Sequence, residues 1–310
     1  MHLRATGAGR RVSVVGFTGR TNCLFLAPAT REYPSFHKLS SLGCGDFGVL
    51  AAFEKALVDL QIQPHNIVTI SGIGCSSKLP GYINTYGMHT LHGRALAVAT
   101  GVKLANHELT VVVTGGDGDG FGIGAGHFVH TMRRNVDMTY VTMDNQIYGL
   151  TTGQASPTSM MGQKTKSTPT GVIENPLDPI ALALACGATY IARGFSGDVK
   201  HMADLIANGI QHKGFAFVDA LSPCVTYNKI NTFDWFRQRV YKLESSGHDP
   251  TNITLAWERA LEWGDKIPIG LFYRAEKPSY EELEEVLAAG PLAHQPAGLA
   301  GKERVLDEFL

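Results

Sequence analysis

Three oxygen-bearing side chains at a fixed spacing could do chemistry together. Asp117 and Asp119 lie in TGGDGDGFGIGAGHF (114–128), and Asn145 lies in DNQIYGL (144–150). The first segment follows the β-branched run Leu109–Val113 and leads into an apolar stretch. A glycine-rich turn in that position lets backbone N–H groups approach a phosphate, and a helix N-terminus adds partial positive charge. On that basis a dinucleotide is a reasonable ligand, with Asp144 available to a ribose. The aspartates point elsewhere, because a carboxylate beside a phosphate is repulsive unless a cation lies between them. A divalent metal resolves the conflict by sharing hard oxygen ligands between protein and phosphate. Asp117 and Asn145 are 145 − 117 = 28 residues apart, room for one helix and one strand. Both then sit at the carboxyl ends of strands, where open α/β sheets bind ligands. Singly, such an aspartate is an ordinary cap and such an asparagine an ordinary turn residue. Their joint spacing favours the metal.

The elements that must position these residues alternate. NIVTI (66–70), LTVVV (109–113), MTYVTM (138–143) and FAFVD (215–219) have the length and bulk of buried parallel strands. Helical stretches fall at Phe47–Leu60, Gly93–Lys103, Gly124–Arg134 and Pro179–Cys186. Strand–helix alternation predicts a doubly wound, mostly parallel α/β sheet. From Val225 onward the chain is more polar, with Trp257, Trp263 and an acidic helix expected at Ser279–Ala288. That part reads as a C-terminal tail rather than a second full domain.

Composition narrows the partners. The 310 residues carry net charge −1 and are 44% apolar, so neither nucleic acid nor an anionic membrane is implied. No run approaches the roughly 20 apolar residues of a membrane span. The N-terminal Arg10-Arg11 and short apolar run fit a signal peptide poorly, and a cytoplasmic location is expected. Cys23, Cys44, Cys75, Cys186 and Cys224 are scattered, which argues against a disulfide framework. A free cysteine packs by default as a small hydrophobe.

GDG, 26 residues (119–144) and then Asn145 resembles the thiamine-diphosphate motif of that enzyme superfamily. More narrowly, residues 116–159 resemble the β subunit of 2-oxoacid:ferredoxin oxidoreductases. GCGDFGVL (43–50), GIGCSSKLPGYINTYGMHTLHGRALAVATGVK (72–103), SPCVTYNKINTFDWFRQRVYKL (222–243) and PIGLFYR (268–274) carry the same resemblance. It spans roughly Gly43 to Tyr280. It divides the chain into an atypical leader (1–38), a thiamine-diphosphate-binding α/β domain (39–228) and an extension (229–310) that packs on the domain or on a partner.

The resemblance implies roles. Asp117, the Asn145 side chain and the Ile147 carbonyl hold Mg²⁺. Gly118, Asp119, Gly149 and Leu150 line the diphosphate. Ile73, Gly74, Cys75 and Ser76 touch the cofactor, and His92 lies against its diphosphate or thiazolium end as the candidate catalytic side chain. The plainer reading of His92 is a core histidine bonded to backbone. The implied reaction is decarboxylation of a 2-oxoacid on thiamine diphosphate, with coenzyme A taking the acyl group and ferredoxin the electrons. Ferredoxin accepts electrons singly, so a 4Fe-4S cluster held by thiolates is implied nearby.

Cys44, Cys75 and Cys224 match three of that family's four cluster cysteines. The fourth position is Ser41, in LSSLGCGDFG (39–48), whose oxygen is a harder and weaker iron ligand. Cys23 fits no position of the pattern, and Cys186 reads as a buried helix cysteine. No second α/β domain is legible to activate the cofactor's pyrimidine, so an α subunit is the expected partner. Thr152, in YGLTTGQ (148–154), stands where some members carry a lysine suited to a distal carboxylate. General similarity favours 2-oxoglutarate, with pyruvate behind it. The alternatives are a ferredoxin-independent thiamine decarboxylase half and a cluster-deficient, nonenzymatic subunit.

Overall fold

The structure, a computed structural model, describes residues 43–296. In chain order they form α1 (Gly45–Leu60), β1 (Ile67–Ser71), β2 (Tyr86–His89), α2 (Ala95–Ala105), β3 (Thr110–Gly116), α3 (Ala125–Arg134) and β4 (Met138–Asp144). A long loop leads to α4 (Pro179–Ala185), β5 (Tyr190–Phe195), α5 (Val199–Gln211) and β6 (Phe215–Leu221). There follow α6 (Phe233–Arg237), β7 (Val240–Lys242), α7 (Ile253–Ala260), β8 (Ile267–Arg274) and the single turn α8 (Tyr280–Leu283). The leader and Ser41 and Cys23 lie outside the described residues.

One sheet runs in the order β2-β1-β3-β4-β6-β5-β8-β7. It is parallel from β2 to β5, and β8 pairs antiparallel with β5. This is the doubly wound, mostly parallel α/β fold expected from the alternation. Period-two side chains divide the core. Val111, Val113, Phe215 and Phe217 pack towards α2, α3, α4 and α7. Val112, Ala216 and Val218 pack towards α1 and α5. Each fully buried Val or Phe stabilises the fold by about 1.5–3 kcal/mol, so both faces hold the sheet rigidly under the site.

The four expected strands are present with shifted ends, and β3 runs on to Gly116. β5 was hidden by a charge. Arg193, 1% exposed, sits in the middle of YIARGF. Its Nε donates to Asp219 on β6 at 2.8 Å, Asp178 lies 3.6 Å from Nη2, and its guanidinium stacks on Trp263 and Phe272. A buried arginine is tolerable when paired in this way. β8 comes from the part that read as a tail, and it completes the sheet beside β5. The acidic helix expected at Ser279–Ala288 is broken. Ser279 and Glu282 form a capping box that starts α8, but the backbone turns extended at Glu284 and resumes as a 3-10 turn at Glu285–Ala289. Cys186, expected inside a buried helix, is the half-buried C-cap of α4.

Candidate active site

Three adjacent strands, β1, β3 and β4, deliver their carboxyl ends to one cleft, and the end of β6 lies beside them. Ile73 to Ser76 follow β1, Asp117 to Asp119 follow β3, Asn145 to Thr151 follow β4, and Cys224 follows β6. Ile73, Gly74, Cys75, Ser76, His92, Asp117, Gly118, Asp119, Asn145, Ile147, Gly149 and Leu150 all line one open cleft. Every cofactor and Mg²⁺ residue named from the sequence is therefore brought together there. Asp46 and Thr151 join them.

The glycine-rich segment is built differently from the expectation. None of its glycines takes a positive φ. Several are instead demanded by aromatic rings. A Cβ on Gly120 would collide with the Tyr140 hydroxyl, and one on Gly115 would lie 2.6 Å from it. A Cβ on Gly118 would collide with the Tyr148 ring, whose hydroxyl donates to the Gly118 carbonyl at 3.0 Å. Asp117 leads into a π-helical turn, Gly118–Ile123, a local unwinding often found at functional sites. Phe121 anchors that turn, 5.2 Å from Phe128, which lies 4.9 Å from Phe217.

Asp119 ties one carboxylate oxygen into the cleft wall. Its Oδ1 accepts from the backbone N–H of Ile73 at 2.9 Å and of Gly93 at 2.8 Å, and His92 Nδ1 stands 3.1 Å away. The side chain thus staples the β1 loop to the His92 loop. Burial raises its carboxyl above the ordinary range, opposed by those two bonds and by His92. His92 is a third exposed on its side chain and faces Tyr148 across 6.3 Å. It belongs to the cleft wall, not to the core.

Asp117 is 2% exposed and Asp144 lies behind it. Thr158 Oγ1 reaches both, 2.7 Å from Asp117 Oδ2 and 2.8 Å from Asp144 Oδ1. Burial pushes both carboxyls up, and Asp144 is pushed further by Asp117 and then Asp219. Asn145 Oδ1 accepts from the Ile147 N–H at 3.1 Å, closing the loop in an Asx turn. Among the described residues the cleft lining includes three carboxylates, Asp46, Asp117 and Asp119, and no Lys or Arg. A diphosphate bound here needs a cation brought with it. This donor set, one buried carboxylate with neutral oxygens, fits a hard divalent ion.

The cysteines also converge. Gly45 N–H bonds to the Pro223 carbonyl at 3.0 Å, and a Cβ at Gly45 would collide with Ser222. That close approach sets Cys44 beside Cys224. A Cβ at Gly149 would lie 3.5 Å from Cys224 Sγ and 3.7 Å from Cys75 Sγ. Burial, then Asp46, pushes both neighbouring thiols up, Cys75 to about 12 and Cys44 further. Such thiols stay protonated unless a metal cation displaces the proton. Among the described residues no three acidic, His or Cys side chains converge on a single ion. A cubane asks for less, because each thiolate binds its own iron.

Comparison with known proteins decides the family. Residues 72–220 match the family described as thiamine pyrophosphate enzyme, C-terminal TPP binding domain, and residues 224–289 match the C-terminal family of the beta subunit of pyruvate ferredoxin oxidoreductase. A 2-oxoacid:ferredoxin oxidoreductase subunit beta of Sulfolobus sp is 51% identical over 268 residues, 82% of this chain and 88% of the relative. The chain belongs to the 2-oxoacid:ferredoxin oxidoreductase β-subunit family. Within it, 2-oxoglutarate synthase subunit KorB of Methanocaldococcus jannaschii is 41% identical over 79% of this chain and 91% of its own. A solved 2-oxoglutarate:ferredoxin oxidoreductase from Magnetococcus marinus, with 2-oxoglutarate, coenzyme A and succinyl-CoA bound, superposes with TM-score 0.79 at 45% identity. It covers 85% of this chain and 90% of that one. Among the described residues of this β subunit no helix is long and apolar enough to cross a membrane.

Sequence reasoning missed Asp46, Tyr148, Thr151, Thr158 and Asn228. The run SPTS (156–159) was a visible signal of clustered hydroxyls, but nothing in it indicated a carboxylate partner 41 residues upstream.

Proposed function

We propose that this oxidoreductase subunit decarboxylates a 2-oxoacid, 2-oxoglutarate first among them, yielding acyl-CoA, CO₂ and reduced ferredoxin. The observation that carries the proposal is the convergence of Asp117, Asn145, Ile147, Cys75 and Cys224 at four adjacent strand ends, with Cys44 brought beside Cys224 from the start of α1. Bound thiamine diphosphate would supply the electron sink for decarboxylation, and a nearby iron–sulfur cluster the one-electron outlet. Asp117, Asn145 and the Ile147 carbonyl would hold Mg²⁺. Backbone at Gly118, Asp119, Gly149 and Leu150 would border the diphosphate, with Ile73, Gly74, Cys75, Ser76 and His92 closing the opposite wall. Cys44, Cys75 and Cys224 would hold three irons, leaving the fourth to Ser41 or solvent. Residues 39–228 form the cofactor-binding domain in this reading, and 229–310 an extension whose β8 completes the sheet. An α subunit supplies the pyrimidine half.

The distal carboxylate of 2-oxoglutarate asks for a cation at the rim. Lys166 offers one, donating from Nζ to Thr152 Oγ1 at 2.9 Å, next to the cleft residue Thr151.

The test is the co-expressed αβ complex, purified without oxygen. Expected are bound thiamine diphosphate, iron, and CoA-dependent ferredoxin reduction with 2-oxoglutarate. Asp117→Ala should lose Mg²⁺-dependent cofactor binding by calorimetry while the complex still assembles. Unchanged affinity in that variant would sink the metal assignment. Iron absent from an otherwise active complex would favour the ferredoxin-independent reading.

A further inference from the structure

The segment that holds Thr158 grips both loops of the proposed metal site. Thr158 is 1% exposed, and its hydroxyl lies between Asp117 and Asp144. One residue on, the Ser159 hydroxyl donates to the Gln146 carbonyl at 2.7 Å, inside the Asn145–Ile147 loop. The segment is itself pinned. Ser156 N–H bonds to Ser159 Oγ at 2.8 Å, and Leu177 N–H bonds to the Pro157 carbonyl at 2.9 Å. Thr158 is therefore held by contacts of its own segment as well as by the carboxylates.

We infer that Thr158 is a positioning residue for the metal site, fixing the orientation of the Asp117 carboxylate. The inference rests on the proposed role of Asp117 as a metal ligand. A carboxylate turns easily about its last side-chain torsion, which is broad and two-fold. A hydrogen bond from Thr158 to Oδ2 removes that freedom, and Ser156 of the same segment also bonds to the carboxylate. The chemistry also explains the residue type. A lysine or arginine at this place would cancel the carboxylate charge and compete with the metal. A hydroxyl orients the carboxylate without neutralising it. Valine has the shape of threonine without the hydroxyl, and serine keeps the hydroxyl without the methyl.

Outer partners of metal ligands typically change metal affinity by about 10–100-fold when removed. In the αβ complex, the Mg²⁺ concentration giving half-maximal thiamine diphosphate binding, read by calorimetry, should rise about 10–100-fold in Thr158→Val. Thr158→Ser should restore it to near the parent value. With Mn²⁺ in place of Mg²⁺, the paramagnetic spectrum should change in Thr158→Val and return in Thr158→Ser. A merely structural role would lower the melting temperature equally with and without metal and cofactor. The positioning role lowers the increment that metal and cofactor add. Should Thr158→Val fail to assemble, the titration is read on Thr158→Ala, and failure of both to assemble makes Thr158 a folding residue and overturns the inference. Asp117→Ala separates the two claims. If it leaves the Mg²⁺ requirement intact, the metal reading is wrong. If it abolishes binding while Thr158→Val leaves the Mg²⁺ midpoint in place, the positioning role alone is wrong.

Discussion

Asn228 donates from Nδ2 to the Asn145 carbonyl at 3.0 Å, while its own N–H bonds to the Cys224 carbonyl at 3.1 Å. One residue, 1% exposed, thus joins the cysteine-bearing end of β6 to the loop after β4. Its Nδ2 also lies 3.1 Å from Asn231 Oδ1. Asn228→Leu would bury the Asn145 carbonyl and Asn231 Oδ1 without this donor, at a cost of about 1–3 kcal/mol for an unsatisfied buried group. Thermal unfolding should show the loss, and calorimetry should show weaker cofactor binding. Full cofactor affinity in a destabilised Asn228→Leu complex would mean that the bond supports the fold only.

Gly120 and Tyr140 make a second pair. Gly120→Ala places a methyl against the Tyr140 hydroxyl in a closely packed interior, and overpacking of this kind typically costs about 1–3 kcal/mol. Tyr140→Phe removes the obstructing oxygen. The double variant should melt above Gly120→Ala alone. Additive losses in the double variant would show that the glycine is required for another reason.

Lys166 bears on substrate choice. Thr152 holds φ at 77°, a costly conformation for a β-branched residue, and it carries the Lys166 contact to the rim of the cleft. Lys166→Ala should raise KM for 2-oxoglutarate several-fold and leave pyruvate nearly unchanged. Equal effects on the two substrates would remove Lys166 from carboxylate recognition.

His212 predicts a pH response of stability. Thr189 Oγ1 donates to Asn135 Oδ1 at 2.7 Å, so His212 Nε2, 2.8 Å from the same oxygen, is the donor to it. Burial, then Arg274, holds the imidazole down at about 4. An unfolded histidine protonates below roughly pH 6.5. Between those values the unfolded chain binds more protons, so this contribution is complete above about pH 6.5 and is lost as pH falls towards 4. The melting temperature gap between the parent and His212→Gln should narrow from pH 7.5 to pH 5. A constant gap would contradict the buried neutral state.

The centre of the sheet is legible in the chain itself, together with the residues its strand ends carry. Leu109–Val113 and Met138–Met143 are short β-branched runs whose ends carry Asp117 and Asn145, and local pattern suffices to read both. Local pattern failed where stability came from distant partners. β5 carries Arg193, legible as a strand only once Asp219 and Asp178 are beside it. β8 lies in a polar stretch and gains its place from pairing with β5. The same division holds in the cleft. Residue types and spacing along the chain named Asp117 and Asn145, and the family resemblance named the cysteines. Folding across the sheet brings Asp119 Oδ1 to the Ile73 and Gly93 N–H groups, fits glycines against Tyr140 and Tyr148, and sets Thr158 between two buried carboxylates. Those outcomes depend on which groups meet across the sheet. No spacing along the chain encodes a hydrogen bond formed between strand ends.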